Sequence, residues 1–278
     1  MNVQAILVPY EVERQDTGMA RAPRELVARG FLDRLRQGGR EVHAVEIQVA
    51  AAGKPETLAA VGQAIARAVA LARSNGRFPL VLSGGCLACV GVVAGLQKGG
   101  TDPAVVWIDA HGDFNTPESS PSGYWDGMAL TTLCGSGLPE LAREIGLRPL
   151  PVSQAVHLAG RDFDPLEQEN VRRLGLLALP PDQVGLDQIG EERPVYLHLD
   201  LDGLDPRDAP AVAVPVPGGP GLEDVLRCLA ALPTPAAMTL SALSFDRVDA
   251  GEAARTIDTC LRLVQAAYEG GHKRKAAG

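Results

Sequence analysis

Aromatic residues are scarce in this sequence: five Phe, four Tyr and two Trp, or 4% of 278 residues. With 46% of the chain hydrophobic, the core must come from Ala, Val and Leu. Basic clusters are missing except in the last few residues, and the formal net charge is −8. That argues against nucleic acid as a partner and gives no support for an anionic membrane surface. No apolar run reaches the roughly 18 residues that suggest a bilayer span. The start, Met1-Asn2-Val3-Gln4-Ala5-Ile6, lacks a basic segment and reads as a first strand rather than a signal peptide. The five cysteines, Cys86, Cys89, Cys134, Cys228 and Cys260, are an odd number without zinc-ribbon spacing. The expectation is a reducing, cytoplasmic setting. Cys86 and Cys89 form a C-x-x-C, but they follow Gly84-Gly85 without flanking aromatics or proline, which disfavours a redox motif.

What is present is an alternation. Runs that read as buried strands recur at Val3–Pro9, Glu41–Ile47, Pro79–Ser83, Ala104–Asp109, Ala155–Ala159, Val195–Asp200 and Ala237–Leu243. Helical patterns lie between them at Glu56–Ser74, Glu167–Leu176, Gly221–Leu232 and Glu252–Glu269. Such alternation predicts an α/β domain of three layers, an open and mostly parallel sheet with helices on both faces. No repeat or low-complexity linker divides the chain, so residues 1–269 are expected to form one domain. The small basic tail Gly270–Gly278 is expected to be disordered. The Pro- and Gly-rich segment Asp205–Pro220 follows a strand, where ligands of open parallel sheets sit, and is expected to wall a site.

Two strand ends carry chemistry. Asp109-Ala110-His111-Gly112-Asp113 follows the run Ala104–Ile108, and Asp200-Leu201-Asp202 closes the run Val195–Leu199. Strand alternation would put residues i and i+2 on one side, presenting four carboxylates and an imidazole together. That many carboxylates pack together only if a cation neutralises them. Hard oxygen ligands plus one imidazole suit two divalent first-row metals, with Mn²⁺ the first choice. Taken singly, Asp113 also fits a helix cap and Asp202 a turn. His198 lies deeper on the Asp200 strand and reads as a satisfied buried histidine rather than a partner of the cluster. His43, His157 and His272 carry no pattern.

These motifs, in this order, resemble the arginase/agmatinase (ureohydrolase) family over essentially the whole chain. Asp113-Phe114-Asn115-Thr116-Pro117, Ser120-Pro121-Ser122-Gly123 and Gly160-Arg161-Asp162-Phe163-Asp164-Pro165 match as well. The resemblance implies a binuclear site for two Mn²⁺ at the carboxyl edge of the sheet. Asp109 and Asp200 would bridge the ions, Asp113 would complete one, and His111 and Asp202 the other. It also places Asn115, Ser120 and Ser122 where arginases hold a substrate α-carboxylate, and Asp164, with Glu167 one turn on, where they hold the α-amino group. The implied substrate is a guanidino amino acid rather than agmatine. Arginases often trimerise through a C-terminal extension. The short tail here gives no such device, so a monomer is the expectation.

Four departures from the family pattern matter. Cys86 in Ser83-Gly84-Gly85-Cys86 stands where the family has its first His ligand; it is expected to ligate as a thiolate, which shifts preference toward softer metals. Asp126 replaces the His that shuttles a proton to the leaving amine. Ser244 replaces a Glu that pairs with guanidinium, and Val214 replaces a polar residue. An ionised Asp is a poor general acid for a basic alkylamine. A less basic N-hydroxyguanidine can bind without the clamp, its neutral carbon is easier to attack, and its own hydroxyl can contact a metal or relay a proton. These departures resemble the branch of the family that hydrolyses Nω-hydroxy-L-arginine to L-ornithine and hydroxyurea in D-cycloserine biosynthesis. An ordinary arginase, or a hydrolase of another guanidino or formimino acid, is the alternative.

Overall fold

The computed structural model describes residues 2–50, 52–180, 183 and 193–275. Eight strands form one sheet: β1 Val3–Val8, β2 Val42–Glu46, β3 Phe78–Ser83, β4 Ala104–Ile108, β5 Ala155–Leu158, β6 Leu177–Leu179, β7 Val195–Asp200 and β8 Ala237–Ser241. Their order is β2-β1-β3-β8-β7-β4-β5-β6, and every adjacent pair is parallel. Every residue of the four central strands β3, β8, β7 and β4 is buried. That is why they read as continuous apolar runs rather than alternating ones.

Side chains alternate between two cores. Ala5, Leu80, Leu82, Val106 and Leu197 face one, which is closed by helices Leu222–Ala231 and Ala250–Lys275. Ile6, Val81, Val105 and Trp107 face the other, closed by helices Lys54–Ser74 and Ala88–Lys98. The second pair packs backbone to backbone. A Cβ at Gly91 would lie 2.6 Å from the Gly62 carbonyl oxygen, and one at Gly95 2.7 Å from that of Ala66. Helix Ala88–Lys98 buries nearly every residue, so it carries no amphipathic stripe and escaped the sequence pattern.

The expected strands are present within a few residues. The last one ends at Ser241 rather than Leu243, because Ala242 turns the chain at φ 59°. Edge strand β6 is three residues long and half exposed, too short to signal itself. The expected tail at 270–278 begins inside a helix that runs to Lys275; residues 276–278 lie outside those described. None of the helices described is long and apolar enough to cross a membrane.

Candidate active site

Central strands β3, β4, β7 and β8 end side by side at one edge of the sheet. Just beyond them lies a cavity of about 290 Å³ lined by Cys86, Asp109, His111, Asp113, Asp126, Asp200 and Asp202, among others. Only Asp200 is a strand residue. Asp109 follows β4, His111 and Asp113 lie in the loop beyond it, and Asp202 sits in a turn of 3-10 helix, Leu201–Gly203. Strand alternation is therefore not what gathers them. The gathering is done by backbone N–H groups that turn back on the carboxylates. His111 N donates to Asp109 Oδ1 (2.8 Å), Asp202 N to Asp200 Oδ1 (3.0 Å) and Ala110 N to Asp202 Oδ1 (3.3 Å). Trp107 Nε1 donates to Asp109 Oδ2 at 3.0 Å. Asp113 takes a left-handed φ of 48°, uncommon for a residue with a side chain and concentrated at functional sites.

Three donor sets result among the described residues: Cys86, His198 and Asp200 form one, and the other two share Asp109. Of those two, one is Cys86, Asp109 and Asp113; the other is Asp109, His111 and Asp202. Within each set the donor atoms lie within 4.8 Å of one another. Asp200 adjoins the Cys86, Asp109 and Asp113 set, where the Cys86 thiol donates to its Oδ2 at 3.2 Å. Asp113 Oδ2 is buried with no hydrogen-bond partner. An orphaned carboxylate oxygen among three other carboxylates, an imidazole and a thiol is the donor chemistry of a divalent pair.

The charges of the cation-free cluster point the same way. Burial raises Asp109 to about 6, and the neighbouring Asp200 adds to it. Burial and other carboxylates push Asp113, Asp200 and Asp202 upward too. Burial also lifts the Cys86 thiol well above its usual range, with Asp113 and Asp200 reinforcing it. Burial alone would lower His111, but hydrogen bonds to Asp109 and Asp202 outweigh it and hold the ring near 12. Its Nδ1 lies 3.5 Å from Asp109 and 3.3 Å from Asp202. An imidazolium is thus the only positive group among the described residues lining the cavity.

Toward solvent the lining is polar and acidic. Asn115 Nδ2 donates to Asp164 Oδ2 at 3.0 Å, which brings those two expected substrate residues together. Ser120 and Ser122 lie at the exposed rim, their hydroxyls 3.5 Å apart. Glu167 lines the cavity, but both its oxygens are engaged. Oε1 accepts from Phe114 N (2.8 Å) and Oε2 from Asp164 N (3.1 Å), so it braces the metal loop against the helix Pro165–Leu174. Gly112 makes room for it, since a Cβ there would fall 2.6 Å from its carboxylate.

Val214 and Asp126 line the cavity, whereas Ser244 does not; Ala242 occupies that wall. The turn at Ala242 redirects the residues after it. Ser244 N donates to Ala211 O at 3.0 Å, which ties two loops together. Ser244 thus sits in a loop off the cavity lining.

Several contributors escaped the sequence reading. His157, fully buried and lowered to about 4 by that burial, contacts the His111 carbonyl through Nε2 at 2.7 Å. His198 is the satisfied buried histidine expected. It stacks on Trp107 with centroids 3.6 Å apart and bonds Tyr196 and Ser241. Ser241 in turn reaches Asp200 at 3.4 Å, and a His198 ring nitrogen itself lies within 4.8 Å of donor atoms of Cys86 and Asp200. Arg161 donates to the carbonyls of Asp202, Gly203, Leu204 and Val216, and so staples the metal turn to the 205–220 wall. A single buried His, or one partly exposed Arg inside a longer motif, carries no local signal for such roles.

The model of the arginase family matches residues 2–249. An arginase of Neurospora crassa is 32% identical over 241 residues, covering 74% of this chain and 67% of that one. An arginase of Bacillus caldovelox is 39% identical over 177 residues, 59% of each chain, so that match spans about three fifths of the relative's length. The crystal structure of an arginase from Bacillus cereus superposes with a TM-score of 0.85 at 28% identity, over 96% of this chain and 98% of that one. The chain belongs to the arginase family.

Proposed function

We propose that this protein hydrolyses the guanidino C–N bond of an α-amino acid. The carrying observation is a cavity that joins two donor sets sharing Asp109 to the Asn115–Asp164 pair nearer its mouth. Cys86, Asp109, Asp113 and Asp200 would hold one divalent ion, and Asp109, Asp200, His111 and Asp202 the other. Two ions there, Mn²⁺ being the first choice, would supply Lewis acidity and bring deprotonation of water near neutral pH. The chain's own residues do the rest. Asn115, Ser120 and Ser122 offer hydrogen bonds to an α-carboxylate, and Asp164 offers a carboxylate to an α-ammonium. The acidic lining repels anions and draws in a cationic amino acid side chain.

Two versions of the substrate differ by one oxygen. L-Arginine is supported by the names of the relatives. Nω-Hydroxy-L-arginine is supported by two features of the wall: a carboxyl, Asp126, in place of an imidazole, and apolar Val214. Asp126 is raised to about 6 chiefly by burial, so it is a weaker acid than a carboxyl in water but still mostly ionised at pH 7. Such a wall suits a guanidine less basic than arginine's; the leaving amine, that of ornithine, is the same for both substrates. We favour the hydroxylated substrate on that ground, and a role in D-cycloserine formation rests on the same departures. The test is direct: Mn²⁺-loaded protein is given each substrate, and urea, hydroxyurea and ornithine are measured. Hydroxyurea formed far faster than urea is the expected result. Comparable rates make the protein an ordinary arginase, and no ornithine from either overturns the function.

A further inference from the structure

Asp126 is held by groups from two other parts of the chain, Leu87 and, through Tyr124, Glu11. Asp126 Oδ1 accepts from Leu87 N at 2.9 Å, and its Oδ2 lies 3.2 Å from the Tyr124 hydroxyl. That hydroxyl also lies 2.9 Å from Glu11 Oε1. Glu11 is buried and ion-paired with Arg14. The turn carrying it is strained: Val12, β-branched and buried, sits at φ 52°. Glu11 N donates to Arg14 O and Arg14 N to Glu11 O across that turn, which fixes Glu11 toward Tyr124. On the other side, Asp126 rests on Gly85, where a Cβ would fall 2.1 Å from its Oδ2.

One phenolic hydrogen therefore stands between two carboxylates. Pointed at Glu11, it leaves its oxygen free to accept a hydrogen from Asp126. Pointed at Asp126, it leaves Glu11 to Arg14 alone. Either way the phenol fixes where Asp126 Oδ2 lies on the cavity wall. We propose that Tyr124, braced by Glu11, is a positioning residue that aims Asp126 at the leaving side of the substrate. The inference rests on the guanidino-hydrolase reading and adds residues to it.

The test uses full-length Mn²⁺-loaded protein with Tyr124→Phe, Glu11→Gln and Glu11→Ala, assayed on both arginines. Tyr124→Phe should lower kcat on the order of 10²-fold, the scale of a misplaced reacting group. KM should stay within about twofold and metal content unchanged, as for an interaction made only in the transition state. Glu11→Gln keeps an acceptor oxygen for the phenol and should retain most of the rate; Glu11→Ala should not. A raised KM with kcat intact would make Tyr124 a substrate contact and overturn the proposal, as would wild-type rates in Tyr124→Phe. A crystal structure of Tyr124→Phe gives a readout independent of turnover. The Asp126 carboxylate should rotate, and an unmoved carboxylate overturns the proposal. A wild-type protein inactive on both substrates refutes the function reading instead, and leaves this structural outcome to decide the positioning role.

Discussion

The floor and the rim of the cavity are held in opposite ways. On the floor, Asp109, Asp200 and Asp202 are buried and pinned by backbone N–H groups and by Trp107. At the rim, Ser120 is partly exposed and Ser122 exposed, and their hydroxyls accept from nearby backbone, Gly123 N and Tyr124 N. Val214 is 53% exposed. The floor is fixed by where four central strands end, whereas the rim is fixed by loops alone. Loops tolerate change, and function is commonly retuned there. Under the proposed function the floor would set the kind of chemistry and the rim the choice of substrate. One departure, Cys86, lies on the floor, and Asp126 stands on the wall between.

The largest effect should come from Asp109, shared by two donor sets. Asp109→Asn keeps an acceptor for His111 N but removes a charge and a strong ligand from each set. Metal content should fall below two ions per chain by elemental analysis, and turnover should drop to background. Two ions retained with measurable turnover would mean that Asp109 is a hydrogen-bonding brace and not a bridge.

The floor is far more legible in the sequence than the wall. Asp109, His111, Asp113, Asp200 and Asp202 sit in two short motifs after apolar runs, so their convergence follows from a parallel sheet. Alternation along a strand is nevertheless not its cause: loops and a turn of 3-10 helix do the gathering. Tyr124 and Glu11 stand 113 residues apart, and only the packing of the strained 11–14 turn brings them together. The place of Ser244 in a motif does not report the backbone turn at Ala242, after which Ser244 lies off the cavity lining. Helix Ala88–Lys98 is hidden because a helix apolar on all sides has no period to read.

A smaller effect is expected at Cys86, where the floor departs from its family. If the thiolate ligates, Cys86→Ser should weaken one site and spare the other, since a neutral hydroxyl is a poor donor. A loss on the order of 10–100-fold in affinity, as for perturbing a metal's supporting shell, is the expected scale. Cys86→His should tighten Mn²⁺ relative to Zn²⁺, because imidazole is the harder ligand. Competition with a chromophoric chelator measures both. Identical affinities in wild type and Cys86→Ser would leave Cys86 as a buried thiol bonded to Asp200.

The smallest effect is on stability, and it separates floor from rim by pH. In cation-free protein His111 is raised to about 12 by Asp109 and Asp202 against the pull of burial. A raised group contributes stability that is complete below its unfolded value, 6.5, and is lost as pH climbs toward 12. Glu167, raised by burial to about 7, acts in the same direction, with its share lost as pH rises through 7. Between pH 8 and 6.5 the folded chain therefore binds more protons than the unfolded one, and acidification stabilises it. The slope is on the order of 1 kcal/mol per pH unit, or roughly 2–4 °C in midpoint for a domain of this size class. Below 6.5 the gain should flatten. His157 and His198, lowered by burial to about 4 and about 3, stay neutral in the fold while their unfolded counterparts charge. Bound divalent ions would take the place of those protons, so metal-loaded protein should lose stability, not gain it, over the same fall in pH. Thermal unfolding with and without chelator, at pH 8 and 6.5, reads the sign directly. A cation-free midpoint that is flat or falls on acidification would show that the floor does not hold protons in place of metal.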